Sequence, residues 1–381
     1  MKSILIRGPL LTQSGYGVHS RQIFRWALES GFDVYVQVLP WGMTCWYTEP
    51  SACDGLIGEI MRRSAPPPSR PDVSVQIQLP NEWDPNLATV NIGVSAVVET
   101  NVCNPTWVQN CYNMDHVIVP SEFAKQVLLS SGHTGQNLSV VSEAFYDGCI
   151  EKNETFDLGN VKTRNNFLLV GQITGNQLVD RKNIGNTITW FLDHYKEKKD
   201  VGLIIKTNLG SNSSIDRAKT KNSLKEIVSK LRQGSFPKVY LIHGRLTENE
   251  ISSLYKHKKV KALISATRGE GFGLPLLEAS ASGLPVVATN WSGHLDFLRL
   301  SDNFYPIEYD LKTVPNERID NQIFMQGSKW AEPRRNSFLK ACDEVLKTKK
   351  SKCVNKRVID NFSMQAIKDQ YNKILGEYLY D

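Results

Sequence analysis

Two glutamates eight positions apart, Glu270 and Glu278, flank a short glycine-bracketed turn in the segment RGEGFGLPLLEASASGLPVVATNWSGHLD, which spans 268–296. The dipeptide Leu274-Pro275 follows the turn, and proline is favoured at the beginning of a helix because its missing N–H is not needed there. Gly283 is typical of a helix end, and LPVVAT has the composition of a short buried strand. The pattern therefore predicts Glu270 in the loop at the helix N-terminus, with Glu278 about one turn inside the helix.

Such a helix N-terminus predicts a binding site for phosphate or diphosphate, since its first N–H groups have no partner within the helix and glycines allow close approach. Four residues would supply this donor-binding backbone: Gly271, Phe272, Gly273 and Leu274. The carboxylates of Glu270 and Glu278 offer acceptor oxygens to hydroxyl groups on either side of the phosphates. A molecule with hydroxyls at both ends and phosphates between them is a nucleotide sugar. The alternative is an ordinary loop–helix–strand unit of another α/β protein.

Alternating strand and helix patterns along the 381 residues predict parallel sheets, and the length suits two α/β domains of ordinary size. Residues 2–7 are a predicted strand, and a loop over 8–17 precedes a predicted helix from about Val18. In a Rossmann-like half this first connection lies at the carboxyl edge of the sheet, where ligands bind. Gly15 and Gly17 are therefore candidate ligand-binding glycines, although the dinucleotide pattern G-x-G-x-x-G is incomplete. The alternative is a simple turn at the start of the helix.

The composition is that of a soluble globular protein, with 41% hydrophobic and 22% charged residues. No stretch approaches the ~20 apolar residues that span a bilayer, and MKSILIRGPLL is better explained as a first strand than as a signal peptide. The seven cysteines form no C-x-x-C pair, so neither a disulfide framework nor a zinc site is indicated. These features favour a reducing, cytoplasmic location.

The acid pair and the sequence after it resemble the nucleotide-sugar motif of the retaining glycosyltransferases of family 4, which have the GT-B fold. The resemblance implies an α/β protein of two Rossmann-like domains whose parallel sheets face a central cleft. It also implies that Glu270 meets the transferred sugar and that Glu278 holds the ribose. Arg181 and Lys182, in an R-K-N sequence, resemble the pair that binds the diphosphate in that family. Gln172 departs from the family, which often has arginine after V-G, so more of the phosphate binding is expected from the R-K pair.

The resemblance extends to weaker features of the donor site. It places Gly15 and Gly17 near donor and acceptor, and Arg245 of the HGRL sequence near the nucleobase. It implies that the anomeric configuration is retained and that the leaving phosphate helps to deprotonate the acceptor. Because no D-x-D motif is recognisable, no metal is expected, and no cofactor beyond the nucleotide sugar, for which UDP is the commonest nucleotide in the family.

The predicted domain organisation follows from the resemblance to family 4 and from a polar stretch between Phe145 and Arg164, which is typical of a linker. An acceptor-side domain is expected over 1–148, and a nucleotide-sugar-binding domain over 149–362. An amphipathic helix over 363–381 would return to the first domain, as is common in GT-B proteins.

Two features of the first half of the chain have both structural and functional interpretations. The aromatic segment WGMTCWYTEP at 41–50 is either a hydrophobic insertion or a platform on which an acceptor stacks. Glu99 either helps to hold an acceptor or is a structural carboxylate.

Several segments are similar to glycosyltransferases of large tailed phages, among them LTQSGYGVHSR, NWSGHLDFL and SKWAEP. Some of those enzymes transfer glucose or a pentose such as arabinose to 5-hydroxymethylcytosine in DNA. The resemblance therefore favours double-stranded phage DNA with modified cytosine as acceptor and partner, and the host cytoplasm as location. The alternatives are a transferase acting on a glycan, lipid or protein, and a non-catalytic module that binds nucleotide sugars. The presence of Glu270, Glu278 and Lys182 argues against the last.

The charge distribution gives DNA binding only limited support. The chain carries a formal charge of +6, but residues 1–150 hold 8 Lys and Arg against 13 Asp and Glu. Basic residues that could contact phosphates are Arg62, Arg63, Arg70 and the runs at 256–261 and 347–357. Solvated helix faces or loops are the more usual explanation of such runs.

Overall fold

The computed structural model describes residues 2–42, 44–172, 179–210, 212–232, 234–348 and 355–379. The chain divides into two compact units. Unit 1 comprises Met1–Ala144, Asp320–Ser328 and Phe362–Asp381, and unit 2 comprises Phe145–Ile319 and Lys329–Asn361. No helix in the described ranges is long and apolar enough to cross a membrane.

Unit 1 contains a parallel sheet of six strands in the order β2-β1-β3-β4-β5-β6. Its elements up to residue 144 are β1 Ser3–Gly8, α1 Gly15–Glu29, β2 Asp33–Val38, α2 Leu56–Arg62, β3 Val73–Ile77, β4 Val90–Val94, α3 Pro105–Tyr112, β5 His116–Val119, α4 Glu122–Ser130 and β6 Leu138–Val140. The strand order reverses between β1 and β3, which is where an open parallel sheet forms a ligand crevice.

Unit 2 contains a second parallel sheet of six strands, in the order β12-β11-β10-β7-β8-β9. Its elements are β7 Asn165–Val170, α5 Ile184–His194, β8 Val201–Thr207, α6 Ser214–Leu231, β9 Lys238–His243, α7 Glu248–Lys256, β10 Val260–Ser265, α8 Leu274–Ala281, β11 Val286–Thr289, α9 Leu295–Leu298, β12 Phe304–Ile307, the antiparallel pair β13 Tyr309–Thr313 and β14 Lys329–Pro333, α10 Arg335–Lys347 and α11 Lys356–Phe362. This is the strand order of the dinucleotide-binding Rossmann fold, and it reverses between β7 and β10.

Helices cover both faces of the second sheet. Apolar side chains of α5, α6 and α10 join one buried cluster with alternate residues of the strands, such as Leu203 and Ile205 of β8. The chain moves in one direction across the sheet from β7 to β9 and in the other from β9 to β11. Because such crossovers are right-handed, α7 and α8 lie on the face opposite α5 and α6. Each residue of β8 therefore faces either the α5 side or the α7 side, in alternation.

Helix α12, Met364–Leu379, belongs to the core of unit 1 although it follows all of unit 2 in the sequence. Its buried residues Ile367, Tyr371 and Leu375 join the cluster formed by α1 and the first sheet. The hydroxyl of Tyr371 lies 3.0 Å from Nε2 of His19 in α1, and the indole of Trp26 donates to Asn372 at 2.7 Å.

The expectation of two Rossmann-like halves with parallel sheets is confirmed, but two local predictions were wrong. Helix α1 begins at Gly15, not near Val18, because Ser14 caps it by accepting a hydrogen bond from the Gly17 N–H at 3.0 Å. The polar stretch predicted as a linker is packed into unit 2, since Leu158 and Val161 are buried within it. A few apolar residues hold that segment against unit 2, and the charged residues around them make the segment resemble a linker in the sequence.

Candidate functional site

The carboxyl ends of β7 and β10, where the order of the second sheet reverses, bring the predicted catalytic residues together. Arg181 and Lys182 follow β7, and Glu270 follows β10. A small pocket at this edge is lined by residues from both strands and from the first turns of α5 and α8, including Val170, Lys182, Glu270 and Pro275. The sequence places these side chains about 90 positions apart, and the sheet topology makes them neighbours.

Glu270 is buried, and two cations neutralise it. Lys182 Nζ lies 2.7 Å from Oε1 and 2.6 Å from Oε2, while Arg181 Nη1 lies 3.2 Å from Oε2. Burial by itself would raise the pKa of Glu270, but the charges of Lys182 and Arg181 outweigh it and lower the pKa to about 2. Glu270 is therefore an anion at neutral pH. The Lys182 side chain keeps 35% of its exposure, against 7% for Glu270, so its ammonium can also reach a ligand.

The loop that carries the two cations is itself fixed by hydrogen bonds. Asp180 accepts from the N–H of Lys182 at 3.0 Å and from the N–H of Ile184 at 2.9 Å, which closes the start of α5. Asn183 has φ of 54°, a left-handed conformation that asparagine tolerates, and its amide donates to the Ala266 carbonyl at 3.0 Å. Arg181 also donates to the Gly269 carbonyl. The β7 and β10 loops thus hold each other in place.

A buried hydroxyl and imidazole support Glu270 from the β11 side. The Glu270 N–H donates to Ser292 Oγ at 2.9 Å, and the Gly293 N–H donates to the Glu270 carbonyl at 2.9 Å. His294 Nε2 lies 2.6 Å from the Thr289 carbonyl, which can only accept, so Nε2 carries the proton. His294 Nδ1 is then an acceptor, 3.4 Å from Ser292 Oγ. Burial lowers the pKa of His294, which favours this neutral form.

The turn before α8 has the geometry that the glycines predicted. Gly273 has φ of +104° and precedes the helix, and a Cβ at this position would lie 3.2 Å from His294 Cβ. Phe272 is buried and packs edge-on against Phe297, with ring centroids 5.3 Å apart. Gly271 and Leu274 complete the turn. Gly283 ends the helix with φ of +71°, as predicted.

Glu278, the predicted ribose ligand, is buried on α8 and accepts a hydrogen bond from the hydroxyl of Tyr255 in α7 at 3.0 Å. Burial raises the pKa of Glu278 to about 8, and the Tyr255 hydrogen bond opposes this rise while the charge of Glu248 adds to it. In contrast to Glu270, this carboxyl has no cation against it in the described structure, and it is largely neutral at pH 7. No sequence pattern predicts the Tyr255 contact, because a tyrosine on the apolar side of α7 is indistinguishable from an ordinary core residue.

The other predicted donor residues belong to other elements of the chain. Arg245 is exposed and follows β9, at the edge of the second sheet. Gly15 and Gly17 belong to the first turn of α1 in unit 1. A Cβ on Gly17 would lie 2.2 Å from the Thr12 carbonyl oxygen, whereas nothing lies within 4 Å of one on Gly15. Packing alone therefore requires glycine at position 17.

The carboxyl edge of the first sheet carries aromatic and hydroxyl groups. Tyr16 stacks on Trp41, with ring centroids 3.9 Å apart, and its hydroxyl lies 3.1 Å from Ser95 Oγ and accepts from the Ala96 N–H at 2.9 Å. Burial raises the pKa of Tyr16, and the charges of Glu99 and Glu143 add to this effect. The aromatic segment predicted at 41–50 thus contributes at least Trp41 to a packed stack at this edge.

Comparisons with known proteins concern the family and the fold. A family model described as glycosyl transferases group 1 matches residues 152–306, which is less than half of the chain but includes the whole Glu270–Glu278 motif. Among curated proteins, none matches the chain by sequence.

Solved structures share the fold over the whole chain. Sucrose-phosphate synthase from Thermosynechococcus elongatus has a TM-score of 0.63 and 13% identity, with 99% of each chain covered. HepE of Anabaena, in complex with UDP and glucose, has a TM-score of 0.61 and 13% identity, and 99% of this chain and 100% of that chain are covered. The pneumococcal O-GlcNAc transferase GtfA, in complex with UDP and GlcNAc, has a TM-score of 0.51 and 16% identity over 81% of this chain, which spans 57% of that protein. At these identities the likeness concerns the fold, which is GT-B. Family match and fold together support a glycosyltransferase.

Proposed function

We propose that this protein is a retaining glycosyltransferase that moves a sugar from a UDP-sugar to a hydroxyl acceptor. The observation that carries the proposal is the buried Glu270 carboxylate, held by Lys182 at 2.6 Å and Arg181 at 3.2 Å beside the N-terminus of α8. This arrangement keeps an acceptor for sugar hydroxyls next to two cations and a set of backbone N–H groups that suit a diphosphate.

In the proposed reaction the cations would contact the diphosphate, and the two glutamates would contact hydroxyl groups. Departure of the diphosphate leaves negative charge on its oxygens, which Lys182, Arg181 and the α8 N-terminus would stabilise. Glu270 would accept hydrogen bonds from hydroxyls of the sugar and keep its anomeric carbon in place. Glu278 would accept hydrogen bonds from the ribose hydroxyls.

In the proposed step the bond between the anomeric carbon and the phosphate oxygen breaks, and its electron pair goes to the diphosphate. The acceptor oxygen forms the new bond on the same face of the sugar. Its proton goes to the departing phosphate oxygen, so no protein nucleophile is required. Retention of configuration and membership of family 4 rest on the resemblance of the motif, whereas the choice of UDP is also supported by the UDP bound in two of the similar structures.

Binding and hydrolysis of UDP-sugars test the donor part of the proposal without knowledge of the acceptor. We expect the purified protein to bind UDP in calorimetry and to release UDP slowly from at least one of a panel of UDP-hexoses and UDP-pentoses. A protein that neither binds UDP nor cleaves any of these donors would refute a UDP-sugar as the donor, and the proposal would fail.

For the acceptor, we propose 5-hydroxymethylcytosine in phage DNA, on the resemblance to phage enzymes. The basic residues give this choice little independent support. Lys256 donates to the Gly148 carbonyl at 2.6 Å, and Lys259 donates to the Val161 carbonyl at 2.6 Å. Arg70 donates to the Ala88 carbonyl at 2.6 Å, and Arg62 pairs with Glu59. These four side chains therefore serve the protein's own structure.

A matched pair of duplexes tests the acceptor. One contains 5-hydroxymethylcytosine and the other contains cytosine at the same positions, and each is incubated with the UDP-sugar panel. A sugar-sized mass gain on the first duplex alone is the expected result. Transfer to a glycan, lipid or protein acceptor with no gain on either duplex would refute DNA as the acceptor and leave the donor chemistry intact.

A further inference from the structure

A buried lysine lies one strand away from the pocket that holds Glu270 and Lys182. Lys206 is the sixth residue of β8, and in the register of the sheet it is paired with Val170 of β7 and Ile242 of β9. Val170 lines the pocket, and paired residues of neighbouring strands lie about 4.8 Å apart. Lys206 is therefore part of the same carboxyl edge.

Lys206 is a largely buried lysine with no ionic partner among the described residues. The residue is 8% exposed, and its ammonium makes neither a hydrogen bond nor an ion pair with any residue that the structure describes. Burial lowers the pKa of Lys206 to about 8, and no carboxylate opposes this effect. An ammonium on a largely buried side chain is stabilised by an acceptor atom, and a ligand could supply one.

The direction of the Lys206 side chain identifies the part of a nucleotide that it would meet. Its neighbour Ile205 belongs to the cluster on the α5 side, so Lys206 faces the α7 side. Glu278 is held toward the same side by Tyr255 of α7. With the diphosphate between β7 and α8 and the ribose at Glu278, the nucleobase would lie on the α7 side of the sheet, which is the side that Lys206 faces.

We propose that Lys206 donates a hydrogen bond to a carbonyl oxygen of the nucleobase and makes the donor site selective for uracil over adenine, which has no carbonyl oxygen. This inference rests on the proposed use of a UDP-sugar. It adds a side chain that reads the base, whereas Lys182 and Glu278 would contact the diphosphate and the ribose, which UDP-sugars and ADP-sugars share, and Glu270 would contact the transferred sugar.

The test compares the affinities of UDP and ADP in wild-type protein and in Lys206→Met, which keeps the aliphatic stem and removes the ammonium. Calorimetry is expected to show that UDP binds about ten- to a hundredfold more weakly to the variant, the usual effect of losing a charged hydrogen bond. The affinity for ADP should change by less than about threefold, so that the preference for UDP largely disappears.

Two other results would overturn the proposal. An equal loss of UDP and ADP affinity would mean that Lys206 contacts the phosphates, and an unchanged UDP affinity would mean that it contacts neither. If wild-type protein itself does not bind UDP, the proposed donor is wrong. That failure is seen without the variant, so it is distinguishable from a failure of the Lys206 proposal.

Lys259→Met is the matched control. Lys259 precedes β10 at the opposite edge of the same sheet, and its ammonium is already bound to the Val161 carbonyl at 2.6 Å. We expect this variant to keep the wild-type UDP affinity and preference. Lys206→Met removes a buried charge and should melt no lower than wild type. Should it nevertheless unfold, Lys206→Gln, which is polar and uncharged, is judged by the same ratio of affinities.

Discussion

The two sheets have the same number of parallel strands, yet their carboxyl edges are equipped for opposite tasks. In unit 2 the edge carries ionised groups, with Glu270 against Lys182 and with Lys206 buried beside them. In unit 1 the buried cation near the edge, Arg21, is committed to the carbonyls of Leu10 and Thr12 at 2.7 and 2.9 Å, and the edge presents the Tyr16–Trp41 stack.

The difference shows how one architecture can serve two halves of a reaction. A buried charge is stable only when a partner neutralises it, and a phosphate ligand can be that partner. Aromatic rings and hydroxyls have no such requirement and suit stacking and hydrogen bonding with a ring that carries a hydroxyl group, such as the base of the proposed acceptor. Four substitutions can break or sharpen this contrast, and they follow in order of expected effect.

The largest effect is expected from Glu270→Gln, which keeps the shape of the side chain and removes the charge that Lys182 and Arg181 neutralise. Transfer of sugar should fall by about a hundred- to a thousandfold, because an oriented group at the reacting sugar is lost. Initial rates with a UDP-sugar measure this, and circular dichroism checks the fold. Glu197→Gln, an exposed glutamate on the same unit, is the control. Wild-type rates in Glu270→Gln would remove Glu270 from the reaction.

Glu278→Gln tests the second, uncompensated carboxyl through the pH dependence of stability. The pKa of Glu278 is raised to about 8, so the folded state holds a proton that the unfolded state releases near pH 4.5. Wild-type stability should therefore fall as pH rises from about 4.5 to about 8, whereas the variant should lack this contribution. At pH 9 the free energy of unfolding of the variant should be higher by about 2 to 4 kcal/mol. Thermal unfolding at pH 5 and pH 9 measures the difference, and parallel curves would contradict it.

A smaller effect, confined to stability, is expected in unit 1. Gly17→Ala places a methyl group 2.2 Å from the Thr12 carbonyl oxygen, while Gly15→Ala meets nothing within 4 Å. The first variant should lose about 1 to 3 kcal/mol of stability through overpacking, and the second should be nearly neutral. Denaturant unfolding of the two proteins checks this. Equal stabilities would show that the loop around Thr12 yields to the added methyl group.

The smallest effect is expected from Ser292→Gly, which removes the hydroxyl that accepts a hydrogen bond from the Glu270 N–H. Glycine adopts the backbone φ of +87° at this position without strain. The turnover rate should fall by about tenfold, or ~1.4 kcal/mol, because Glu270 is held less firmly. The affinity for UDP should not change. A loss confined to nucleotide affinity would place Ser292 in binding rather than in the support of Glu270.

Glycine and proline residues that begin and end a helix made the region around Glu270 predictable from the sequence. Gly273, Pro275 and Gly283 mark the beginning and end of α8, so the positions of Glu270 and Glu278 relative to the helix follow from local rules. The closeness of Lys182 to Glu270 could be expected only through the family resemblance, because it depends on strand order and not on spacing.

Contacts between distant helices could not be predicted in this way. The Tyr255–Glu278 pair joins α7 to α8, and each residue fits its own helix equally well without the other. Lys206 gave no signal, since a lysine near the end of a strand is usually exposed. The start of α1 differs from the prediction because Gly15 and Gly17 are typical of a loop, whereas the Ser14 cap outweighs their low helix propensity.

The position of α12 has a consequence for biosynthesis. A ribosome translates all of unit 2, up to Asn361, before it translates the helix whose Ile367, Tyr371 and Leu375 complete the core of unit 1. Unit 1 therefore cannot complete its core until the last helix has been translated. Part of its apolar surface stays uncovered until then. During that interval the nascent chain is most exposed to proteases and chaperones.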